Sequence, residues 1–268
     1  MHKFSANTFI AVLLIGVASA LSAAPVQQDA IGFVAVRKGQ WMRVQDKKIL
    51  DPYDEIFPNT TLRTEPSTSN SIKIAFFLGS VWSKGCTEKE PCGSGSIGIP
   101  APDAGGGVLG FLKSFFPAEK HWSTRFAGSR GIESGGPKDA ILVIDSGTVN
   151  VAPALEGLPT GTLRVTLTAD SATDDTGTTA TIHWPQEVST KFGALPPGIY
   201  SLDVLSATDD PLGSSAAVLL VLPAAQPAAQ ADFKQAQTLA AHWEGIDSAT
   251  RRGFLVRALY AIDLELKK

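Results

Sequence analysis

The chain has 268 residues, 44% of them apolar and 18% charged, with a formal net charge of −3. That length allows one large or two modest domains, and the composition is that of a folded, globular protein. The low net charge and the lack of a basic run argue against nucleic acid as a main partner, while 8% aromatics and 17 prolines suit a turn-rich β protein.

Residues 1 to about 23 read as a signal peptide. Lys3 supplies the positive start, Phe9 to Val17 the apolar middle, and Ala18 to Ala23 the small residues for cleavage after Ala20 or Ala23. No cysteine lies near these points, which argues against lipid attachment. The apolar run is shorter than the roughly 20 residues a bilayer core requires, so an uncleaved anchor is the lesser alternative. The later run Ala216 to Leu222 is only strand-sized. The expectation is an exported protein, periplasmic or extracellular, with no membrane span after signal removal.

Residues 31–99 form the first expected domain. Apolar side chains alternate at Ile31, Phe33 and Ala35, and again at Ile72, Ile74 and Phe76, the period of a half-buried strand. Turn chemistry at Lys38-Gly39, Asp51-Pro52, Phe57-Pro58-Asn59 and Glu65-Pro66-Ser67 divides the stretch into four or five short strands. Trp41 and Trp82 fall in or beside these strands and read as core or rim packing. Cys86 and Cys92 enclose a charged loop containing Pro91. In an exported protein such a pair is expected to be a disulfide, stabilising by roughly 2 kcal/mol because the loop is short. A metal or redox pair is the other reading, but the spacing is not C-x-x-C and no histidine is near.

Residues 100–139 read as a linker followed by a surface excursion, interrupted by the apolar Val108 to Phe116, a short helix or a weak membrane-binding segment. Strand signals return over 140–223: Ala140 to Ile144, Thr148 to Val151, Thr162 to Ala169, Thr178 to Trp184, Gly198 to Leu205 and Ala216 to Leu222. Their spacing near ten residues and the alternation of Leu163, Val165 and Leu167 predict an antiparallel β-sandwich. Pro223 to Gln230 reads as a second linker. A helical hairpin is expected over 231–267, its first helix carrying Phe233, Leu239 and Trp243 on one side and ending at Gly245. Asp247 or Ser248 would cap the second helix, whose stripe is Leu255, Leu259, Ile262 and Leu266. The fold class is therefore mainly β with a C-terminal helical hairpin: a small β-domain plus an antiparallel sandwich. The hairpin either packs on a sheet or docks a partner through Phe233, Trp243, Leu255, Leu259 and Ile262.

Two stretches resemble known families. Leu50-Asp51-Pro52-Tyr53-Asp54-Glu55-Ile56-Phe57-Pro58-Asn59-Thr60-Thr61-Leu62 resembles the L-x-x-G-D-x-I-x-x-G-x-x-L stretch of FecR-type periplasmic domains, with Tyr53 and Asn59 at the two glycine positions. Asparagine tolerates the left-handed backbone that glycine serves there. The resemblance implies a periplasmic sensing or interaction module. Leu195-Pro196-Pro197-Gly198-Ile199-Tyr200 is similar to the L-x-x-G-x-Y entry to a late strand of immunoglobulin-like domains, where the tyrosine hydroxyl bonds backbone at a corner.

No catalytic set emerges. After signal removal the histidines are His121, His183 and His242, far apart in sequence and without metal-ligand spacing. Gly93 to Ser96 lacks the G-x-S-x-G spacing of a nucleophile elbow, and Gly105 to Gly107 lacks the lysine of a phosphate loop. Asp170, Asp174, Asp175, Asp209 and Asp210 read as turn residues before calcium ligands. The leading expectation is a non-enzymatic protein, without metal or cofactor, that binds a protein partner or senses envelope state. A carbohydrate-binding protein is the alternative and would place two or more of Trp41, Trp82, Trp122 and Trp184 in one exposed plane. A hydrolase comes third and would unite His121 or His183 with distant acids in a pocket.

Overall fold

The computed structural model describes residues 30–92, 95–100, 139–144, 149–169, 177–187, 192, 194–212, 217–223 and 226–267. The expected signal peptide, the segment 101–138 with His121 and Trp122, and Asp170, Asp174 and Asp175 lie outside these residues.

Among its described residues the first unit contains eight short strands rather than four or five. They are β1 (Gly32–Lys38), β2 (Trp41–Arg43), β3 (Lys48–Ile49), β4 (Glu55–Ile56), β5 (Thr61–Thr64), β6 (Ser71–Phe76), β7 (Val81–Gly85) and β8 (Ile97–Gly98). Two antiparallel sheets result, ordered β4-β1-β6-β7 and β3-β2-β5-β8. Between them lie Val34, Trp41, Leu50, Ile56, Leu62, Ile72, Ile74 and Phe76. The β1 and β6 strands are buried on both sides, not half-buried. Val34 pairs with Ile74 and faces this core, while Phe33 pairs with Ala75 and faces away from it. Phe33, Ala35, Ala75 and Phe77 thus form a second apolar face. The expected disulfide joins Cys86 to Cys92. Cys92 exchanges two backbone bonds with Ser67, so the bridge fastens the end of β7 to the turn before β6.

The second unit comprises β9 (Asp139–Ile144), the single-turn α1 (Ala152–Leu155), β10 (Gly161–Ala169), β11 (Thr178–Trp184), β12 (Gly198–Leu205) and β13 (Ala217–Leu222). Its five-stranded sheet runs β11-β10-β12-β13-β9. All neighbours are antiparallel except β13 and β9, which are parallel from Ala217 opposite Asp139 to Leu222 opposite Ile144. The expected strand at Thr148 to Val151 is replaced within its described residues by coil leading into α1, because Pro153 has no N–H for a ladder but fits a first helical turn. Val149, Val151 and Leu155 cover one face of the sheet together with Phe192 and Leu195. The Tyr200 hydroxyl donates to the Pro196 carbonyl at 2.8 Å.

Two long helices close the chain, α2 (Pro227–His242) and α3 (Ser248–Leu266). The α2 helix starts four residues before the expected position, with Pro227 in its first turn, where a missing N–H costs nothing. Asp247 caps α3 by accepting from the Thr250 amide at 2.8 Å. The two helices pack on each other and lie between the units, touching the β13 and β9 end of the five-stranded sheet. One continuous core contains Phe33 and Phe77 of the first unit, Val218, Leu220 and Leu222 of the second, and Phe233, Leu239, Trp243, Phe254 and Leu259 of the helices. This explains the run Ala-Val-Leu-Leu-Val-Leu in β13, where alternation is missing because both faces are covered.

Candidate functional site

The densest chemistry lies where the helices meet the first unit. Tyr53 sits in the turn before β4 with a φ of 71°, a left-handed backbone that costs a side-chain-bearing residue roughly 1–2 kcal/mol. Asn59, at the second glycine position of the FecR-type pattern, has a φ of 61°. What holds Tyr53 there is the helix. Its ring stacks on Phe33 at 5.6 Å, the Arg257 guanidinium lies 4.0 Å from its centroid, and its hydroxyl donates to the Thr250 carbonyl at 3.2 Å. Burial pushes the tyrosine hydroxyl pKa up and the Arg257 pKa down to about 10, and the charge of each on the other opposes this more weakly. Gly253 makes room for this contact, since a Cβ there would stand 2.1 Å from the tyrosine oxygen.

Around Tyr53 the aromatic cluster continues. Phe254 stacks on Phe33 at 5.7 Å and meets Trp243 edge-on at 4.6 Å. The Trp243 indole donates to the Phe76 carbonyl at 2.9 Å, and Arg251 donates to the Trp243 carbonyl. Lys73 reaches the Gly245 carbonyl at 2.6 Å. These bonds satisfy backbone groups at the end of β6 and in the α2–α3 turn.

The five side chains expected to dock a partner are placed by this packing. Phe233, Trp243, Leu259 and Ile262 are buried in the shared core, and Leu255 is half-buried against it. In this structure they are covered by the chain's own two β units. An amphipathic stripe looks the same whether its cover is internal or external. What distinguishes the cases is the second apolar face of β1, which the sequence shows only as the unbroken run Phe33-Val34-Ala35-Val36. Sequence reasoning missed Tyr53, Gly253 and Arg257 as a group; the available signal was a tyrosine at a glycine position and a glycine inside a helix.

The other candidate residues are not brought together. His183 is exposed on β11 beside Thr162, and His242 is exposed at the end of α2, where its ring bonds the Thr238 carbonyl. Asp209 pairs with Arg164 at 2.7 Å, while Asp210 accepts from Thr208 within a turn. Among the described residues no group of three or more histidine, cysteine or acidic side chains is placed to hold a metal ion. Trp41 is fully buried, Trp82 is half-buried against the first core and Trp184 against the second, so the described members of that set form no shared exposed plane.

Among the described residues, two surface hollows stand out. One, of about 290 Å³, lies on the outer face of the second sheet of the first unit. Ile49, Met42 and Arg63 stand in one cross-strand row there, with Glu65 and Pro66 at the side. The other, of about 140 Å³, lies between Ala229 and Asp232 of α2 and Ile262 and Leu266 of α3. Burial pushes the Asp232 carboxyl pKa up. No described helix is long and apolar enough to cross a membrane. No protein-family model matches the chain, and neither does any curated protein or solved structure.

Proposed function

We propose that this is an exported, non-enzymatic protein that binds a protein partner, or senses envelope state, through the outer face of its first β unit. The observation that carries this reading is the position of the helices: they join the two units through one core and, among the described residues, leave the outer face of the β3-β2-β5-β8 sheet exposed at Met42, Ile49 and Arg63, while Val149, Val151, Leu155, Phe192 and Leu195 cover the far face of the five-stranded sheet. The left-handed backbone at Tyr53 and Asn59 supports the FecR-like reading of the first unit, because those are the pattern's glycine positions. The Tyr200 to Pro196 bond supports the immunoglobulin-like reading of the second. The disulfide supports export, since such bridges persist in oxidising compartments.

The test is affinity capture from an envelope extract with the tagged full chain, followed by reconstitution with the purified partner. The reading predicts a complex of fixed stoichiometry that re-forms from pure components and weakens when Met42 and Ile49 are both changed to Asp. Recovery of no protein, together with specific retention on a glycan array, would overturn it in favour of carbohydrate binding.

A further inference from the structure

The net charge of −3 conceals a division. Residues 139–223 carry ten acidic side chains and two basic ones, a net charge of −8, and the rest of the chain is net positive. One of the two bases, Arg164, is already paired with Asp209. The second unit is thus strongly acidic, and its field favours cationic partners and repels a second copy of itself.

Among its described residues the same unit ends in an edge strand. Among the described residues nothing pairs with the outer side of β11, which ends the five-stranded sheet. Its side chains alternate cleanly: Ala180 and Ile182 face the core, while Thr179, Thr181 and His183 are exposed. Backbone direction follows from the turn after the strand. The His183 amide donates to the Glu187 carboxylate at 3.0 Å, and the Glu187 amide donates to the His183 carbonyl at 2.7 Å. The His183 main chain therefore points away from β10. By the alternation of an antiparallel ladder, so do the N–H and C=O groups of Thr179 and Thr181. The strand has no lysine and no internal proline, two of the usual guards of an exposed edge. Beside it, Thr162, Arg164, Thr166 and Thr168 of β10 continue a polar face.

We propose that the outer edge of β11 takes an extended cationic polypeptide segment as an added strand, bonded through the main chain of Thr179 and Thr181. This rests on the protein-binding reading above and adds a second surface, the sheet edge of the other unit, with its partner chemistry. Backbone bonding supplies the register, and the acidic unit selects the charge. A second copy is disfavoured because edge-to-edge pairing would oppose two units of the same strong negative charge.

Three labelled peptides of about seven residues test this against the full chain by fluorescence anisotropy. One alternates lysine and threonine, one alternates glutamate and threonine, and one is the lysine peptide with its central threonine replaced by proline. The lysine peptide should bind, and the glutamate and proline peptides should bind at least about tenfold more weakly, the latter because a strand bond is lost at unchanged charge. Affinity should fall several-fold between about 50 and about 300 mM salt. Thr181→Pro should abolish binding; because that variant can also disturb folding, the proline peptide is the deciding arm. Equal binding of the lysine and proline peptides would overturn the proposal, as would no binding, or a dimer in sedimentation that Thr181→Pro abolishes. If the peptides fail while the reconstituted envelope complex stands, the edge proposal falls and the protein-binding reading survives.

Discussion

Tyr53 holds a backbone conformation suited to glycine because its side chain is clamped by Phe33, Arg257 and the Thr250 carbonyl. Two effects of Tyr53→Gly oppose each other: relief of left-handed strain, about 1 kcal/mol, and loss of a large packed ring, which costs more. A net loss of about 2 kcal/mol in urea denaturation is expected. Gly253→Ala should by helix propensity alone gain about 1 kcal/mol. The 2.1 Å approach to the tyrosine oxygen reverses the sign, and a loss of about 1–3 kcal/mol is expected from overpacking. In the Tyr53→Gly background the same alanine should become neutral or stabilising. Equal losses in both backgrounds would show that the two residues do not touch. This pair was half legible in the sequence. The family pattern marked position 53 as unusual, but what justified a tyrosine there lies two hundred residues downstream.

At the scale of elements, α3 depends on its N-terminal cap. Burial alone would push the Asp247 carboxyl pKa up, but bonds from the Thr250 amide and hydroxyl outweigh it and hold the pKa below the usual range. The stabilisation is therefore complete above the ordinary carboxylate value of about 4 and is lost as pH falls through the lower folded value. Asp247→Ala should cost about 1 kcal/mol at neutral pH. The gap between its urea midpoint and that of the parent chain should close as pH falls from about 5 to about 3. A gap unchanged over that range would show that the carboxylate does not act as a cap. This cap, the disulfide, the C-terminal helices and most strands of the second unit were readable because each has a local signature: a capping side chain, two closely spaced cysteines behind an expected signal peptide, a stripe, an alternation. The parallel pairing of β9 with β13 was not, since pairing partners far apart leave no local mark and a doubly buried strand has no period to read. The extra strands of the first unit were missed because Lys48–Ile49 and Glu55–Ile56 are too short to show one.

At the scale of the molecule, the sequence offered a hairpin that packs on one sheet or docks a partner, whereas the fold packs it against both β units. Their apolar residues have cover on both sides, from Phe33 and Phe77 on one and Val218 and Leu220 on the other. The helices therefore join the two β units through one shared core. The measurement that tests this most directly is equilibrium unfolding of the full chain beside a chain ending at residue 226. Removing the helices uncovers two apolar faces at once, so the account predicts that the shortened chain loses cooperative unfolding and binds a hydrophobic dye. A shortened chain that unfolds at the same midpoint, with both β units intact and no dye binding, would contradict it.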